Sequence, residues 1–160
     1  MTLAKSITDQ LQKAPSGHPG EIQAAGDEFR VEVKLADCDR LGCLLNRLEL
    51  EQSQGGLPAL DASSIEGQIT YLGERLEVIE TEGRKGRTIL RSAPPRINGD
   101  VTSFFEMVLD PVDGLSLVRY EYDRQRGERI PVAAALARDT LERLINDLIE
   151  LAQKKEVSGS

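Results

Sequence analysis

Cys38 and Cys43, in the run Cys38-Asp39-Arg40-Leu41-Gly42-Cys43, are the residues whose types most directly suggest chemistry, because thiolates bind metals and exchange disulfides. A structural zinc site takes four cysteine or histidine ligands. His18 is the sole histidine, so the set falls one short unless a carboxylate or a second subunit completes it. The expectation is therefore no metal, no cofactor, and two ordinary cysteines flanking a hairpin, with reversible thiol oxidation as the alternative. His18 itself lies between Gly17 and Pro19. Nucleophilic catalysis needs a base within hydrogen-bond reach of its partner, and no sequence neighbour supplies one, so His18 reads as a solvated loop residue.

Positive charge gathers in two turns: Arg84, Lys85 and Arg87, then Arg124, Arg126 and Arg129, with Arg119 on the preceding strand. Gly83 and Gly86 frame the first group, but the phosphate-cradling order Gly-x-x-x-x-Gly-Lys-Ser/Thr is missing. Arginine grips carboxylates and phosphates bidentately, which makes Arg119, Arg124 and Arg126 candidate contacts. Glu121, Asp123 and Glu128 interleave them, however, and suit cross-strand ion pairs. Tyr71 and Tyr120 complete the candidate interaction residues. The 27 carboxylates are too many for any one to be singled out as an acid or base without knowledge of burial. No catalytic constellation emerges, and the chain reads as non-enzymatic.

Periodicity supplies the elements that would position these groups. Leu3, Ile7 and Leu11 make one helical stripe over residues 1–14, and the prolines and glycines that follow predict a loop over 15–27. From Glu28 to Leu35 polar and apolar residues alternate at every step, which predicts a strand. Residues 41–51 fit a helix or a strand; the reversal signal at 37–42 favours a strand. A long loop over 53–64 precedes short strands at 65–72, 75–81 and 87–92. A hairpin then joins 102–109 to 115–122 through Asp110-Pro111-Val112-Asp113-Gly114. Ile130 and Val132 suit a last short strand, held at an edge by Pro131. Leu141, Leu144, Ile145, Leu148, Ile149 and Ala152 predict an amphipathic helix over 139–154, with Asp139 and Glu142 placed as a capping box and 156–160 as a mobile tail. The whole is one α+β domain over 28–155. Its mostly antiparallel β-meander sheet has about six to eight strands, bracketed by a short N-terminal helix and a longer C-terminal helix packed on one sheet face.

Composition narrows the function. The chain has 160 residues and a net charge of -7, unsuited to the counterion release that nucleic-acid binding requires. No apolar run approaches the roughly 20 residues that span a bilayer. No signal-like N-terminus is visible, and two cysteines are too few for a disulfide-stapled secreted domain, so the expectation is cytoplasmic. Trp is absent and aromatics make 4%, which disfavours flavin or base stacking. Two readings follow. The first is a protein-interaction module, an adaptor, assembly factor or chaperone-like binder, whose partners are another protein and itself as a homodimer. The second is a small apolar ligand-binding protein with a cavity between a curved antiparallel sheet and the C-terminal helix, lined by Ile65, Ile69, Tyr71, Phe105, Met107 and Tyr120 with Leu144 and Leu148.

Overall fold

Alternation along the strands decides which face of the sheet is buried. In the computed structural model, which describes residues 2–13, 20–57, 60–82 and 86–158, strand β2 (Phe29–Cys38) buries Phe29, Val31, Val33 and Leu35 on one side, and its hairpin partner β3 (Gly42–Gln52) buries Leu45, Leu48 and Leu50 on the same side. The loop expected over 15–27 contains a strand, β1 (Gly20–Ala25), antiparallel to β2. Its short Ile22-x-Ala24 alternation is completed only by the longer neighbour.

Helices cover this buried side. Helix α1 (Leu3–Lys13) contributes Ile7 and Leu11, and helix α3 (Arg138–Ser158) contributes Leu141, Leu144, Ile145 and Leu148, all in one core with the sheet residues. Each such buried side chain contributes about 1.5–3 kcal/mol of hydrophobic stabilisation. Helix α3 runs past the expected end at 154 and through the segment 156–160 expected as a tail, as far as Ser158, because nothing before Gly159 interrupts it. Asp139 lies inside its first turn, where a carboxylate is favoured by the helix dipole.

The middle of the chain departs most from expectation. Residues 65–72 do not form a strand; helix α2 (Ala62–Gln68) opens within the expected loop over 53–64. Asp61 caps it, Oδ1 accepting from the Ser63 amide at 3.1 Å, and Ile65 and Ile69 sit one helical repeat apart in the core. The strands β4 (Leu76–Glu82), β5 (Arg87–Ser92), β7 (Val101–Asp110) and β8 (Gly114–Asp123) follow the expected order, with the short β6 (Arg96–Asn98) added to one edge of β7. Strand β9 (Glu128–Val132) holds Pro131 and pairs with β8, and β10 (Ala134–Ala137) pairs with β3 and leads directly into α3.

The ten strands form one sheet in the order β1-β2-β3-β8-β7-β5-β4, two more strands than the upper expectation. Beyond Leu48 to Leu50, where β3 meets β8, β10 occupies the edge of β3 and β9 that of β8. No helix of the described residues is long and apolar enough to cross a membrane.

One correction concerns the cysteines. They are joined as a disulfide, Cys38 directly opposite Cys43 at the tip of the β2–β3 hairpin. The hairpin register itself sets the two cysteines opposite each other; two irregularities, near Asn46 in β3 and Ala36 in β2, each an extra residue on one strand, turn the pair to the core side, which Cys38 shares with Leu35 three positions earlier. Strict alternation would have left them opposite each other on the other face of the sheet.

Candidate functional site

Among the described residues no element covers the side of the sheet away from the helices, and register decides what it presents. Across β7, β8 and β9, Phe105, Arg119 and Val132 form a row on the core side. The adjacent row, Phe104, Tyr120 and Pro131, faces outward, as does the next but one, Thr102, Tyr122 and Arg129, with Ile97 of β6 opposite Thr102. Of the chain's three phenylalanines and three tyrosines, Phe104, Tyr120 and Tyr122 therefore gather on one open surface. Ile97 is 63% exposed and Tyr122 39%.

Glu106 organises this surface. Its side chain is only 7% exposed and accepts from Arg91 Nε at 2.7 Å and from Arg129 Nη1 at 2.8 Å. Burial pushes its carboxyl up, but the hydrogen bonds from Arg129 and then Arg91 outweigh this and hold it below the ordinary glutamate range. The same contact raises Arg129 above its usual value. Thus anchored, the Arg129 guanidinium lies 3.9 Å from the Tyr120 ring centre and that of Arg91 5.4 Å from the Phe104 ring, while the two rings are 6.0 Å apart. Beside this platform runs a groove of about 420 Å³ lined by Arg47, Arg87, Glu106, Val108, Tyr120 and Arg129, among others. Arg87 Nε has no hydrogen-bond partner there among the described residues. Guanidinium donors beside half-buried rings can bind carbonyls, carboxylates and apolar side chains together.

The five residues singled out from the sequence do not converge. Tyr120 belongs to the platform. Arg119, on the core side, makes a bidentate pair with Glu74 at 2.9 and 3.3 Å and lies 4.8 Å from the Phe105 ring centre. Tyr71 donates to Asp147 Oδ2 at 2.7 Å and is stacked by Arg143, so it ties the segment after α2 to α3. Burial and the Asp147 bond raise its hydroxyl well above the ordinary tyrosine range. Arg124 is exposed in the β8–β9 turn, and Arg126 reaches Asp123 only at 4.0 Å. Ile65, Ile69, Phe105, Met107, Leu144 and Leu148 are packed in the core, with Tyr120 on the opposite side of the sheet from Phe105. His18, Gly83, Arg84 and Lys85 lie outside the described residues.

Glu106, Arg91, Phe104 and Tyr122 were not singled out from the sequence. The parity of the β7–β8 hairpin could have found them, since placing Phe105 and Met107 inward turns Phe104 and Glu106 outward. No protein family, curated protein or solved structure matches the chain, so the geometry alone supports a functional reading.

Proposed function

We propose that this protein is a non-enzymatic, cytoplasmic protein-interaction module that binds another polypeptide on the uncovered side of its sheet. The observation that carries the reading is the platform of Phe104, Tyr120, Tyr122 and Ile97, with Arg91 and Arg129 laid on its rings by Glu106. Aromatic residues and arginine are the types enriched where proteins bind one another. Self-association belongs to the same proposal. At the far end of the sheet Ile97 and Ile130 are exposed on opposite faces, and Arg96, Arg124, Arg126 and Arg129 balance Asp100, Glu121, Asp123 and Glu128. In a chain of net charge -7, that balanced end is where a second copy meets least repulsion. The test compares wild type with Ile97→Asp/Tyr122→Ala. Proteins retained from a cell extract by wild type are lost from the variant, and the sedimentation coefficient falls towards that of a monomer. Equal retention and equal sedimentation would reject the surface.

A further inference from the structure

The hairpin tip that carries Cys38 and Cys43 has the features of a reversible lock. Both cysteines line a cleft of about 440 Å³ together with Asp37, Leu41, Leu44 and Ala135, but Cys38 is half-buried and Cys43 buried. Cys38 is therefore the more reachable of the two. The turn between them is also built without the disulfide: Asp39 Oδ1 accepts from the Leu41 and Gly42 amides at 2.8 and 2.9 Å, and the Asp39 amide donates to the Gly42 carbonyl at 2.9 Å. The bond closes a loop of only five residue steps, so when it opens the Asp39 turn keeps its own hydrogen bonds while the two strand ends that the bond joined are freed. The tip is also fastened to the seam where β10 becomes α3. A Cβ at Gly42 would lie 2.9 Å from the Leu136 carbonyl oxygen, and the Arg138 amide donates to the Leu41 carbonyl at 3.2 Å.

We propose that Cys38 and Cys43 are a thiol-exchangeable pair, with Cys38 the attacked sulfur, whose redox state tightens or loosens the tip against the β10–α3 seam. The reactant class is a small-molecule thiol with its disulfide. A small thiolate attacks Cys38 Sγ, the bond between the two cysteine sulfurs breaks, and Cys43 leaves as a thiolate that takes up a proton. A second small thiolate attacks the small-molecule sulfur of the mixed disulfide and releases Cys38 as its thiol. Two electrons pass from the two small thiols, which end as their own disulfide, to the cysteine pair.

Full-length protein is equilibrated natively across mixtures of reduced and oxidised glutathione, quenched with acid, alkylated and weighed. The expected result is a single two-electron transition between dithiol and disulfide. A disulfide that persists in excess dithiothreitol, or cysteines that alkylate fully in excess oxidised glutathione, would overturn exchange. Oxidised glutathione forms the mixed disulfide with Cys38 in Cys43→Ser, releasing one reduced glutathione, about tenfold faster than with Cys43 in Cys38→Ser; equal rates would overturn the assignment of Cys38. Hydrogen exchange on wild type reads the lock without any variant. Reduction speeds exchange at residues 41–44 and 134–138 and leaves β7 unchanged, and identical exchange in both states would overturn the coupling.

Discussion

Glu106 and Arg119 are charged residues on opposite faces of the same two strands, and their surroundings assign them different work. The Arg119–Glu74 pair is 13% and 12% exposed, in contact with the core ring of Phe105. Arg119→Ala leaves Glu74 nearly buried without a counter-charge and lowers stability by about 3 kcal/mol in urea unfolding, with no change in partner binding. A loss of binding with unchanged stability would move Arg119 back among the interaction residues. For Glu106 the expected signature is a pH dependence. Its folded-state carboxyl ionises below its ordinary value of 4.5, so its contribution is complete above that value and is lost as pH falls through the folded one. Asp39, lowered by hydrogen bonds from the Gly42 and Leu41 amides, acts in the same sense. Glu106→Gln therefore flattens the fall of Tm as pH drops below the ordinary value of 4.5, without abolishing it. An acid limb as steep as that of wild type would show that the network contributes nothing. At this scale the sequence was partly legible. Tyr120 and the arginine-rich β8–β9 turn stood out by type, but the cysteine pairing did not, because the register that sets Cys38 opposite Cys43 appears only when the strands are aligned.

Element by element, long periodic segments read correctly, as did the short strands β4, β5 and β9 set off by turn or proline signals, whereas α2, β1, β6 and β10 did not. The alternation of β2 and the apolar stripe of α3 each specify a face with many residues, so no neighbour has to be known. Leu148 shows the consequence. It is fully buried, and Leu148→Asp lowers stability by several kcal/mol through lost packing and a buried charge; an unchanged melting curve would reject its place in the core. Helix α2 was missed because Ile65, Ile69 and Tyr71 also fit alternation over so short a run, and the deciding signal was the Asp61 cap. β1 and β6 owe their existence to the strands beside them. The β7–β8 hairpin was legible through its turn, which fixes its register. Gly114 there has φ +90, and a Cβ would meet the Leu50 carbonyl oxygen at 2.5 Å. Gly114→Ala costs about 2 kcal/mol or more, read by thermal unfolding; a loss below half that figure would show that the turn tolerates a side chain.

At the scale of the whole molecule, the functional reading rests on asymmetry between the two sides of one sheet. One side is filled by α1, α2 and α3; the other leaves the aromatic and arginine platform exposed, at a charge-balanced end of an acidic chain. Fold class and helix placement were legible in the composition and periodicity. The uncovered side was not, because which face a strand presents depends on sheet order: Pro131 marks β9 as an edge strand without naming β8 as its neighbour, and no local signal places β10. The most direct test of the platform is photo-crosslinking in living cells, with a photoreactive phenylalanine analogue in place of Tyr122 and, as a control, in place of Gln12 on the exposed side of α1. The account predicts discrete heavier adducts, to another protein or to a second copy, from position 122 and none from position 12. No adduct from position 122, or the same adducts from both positions, would contradict it.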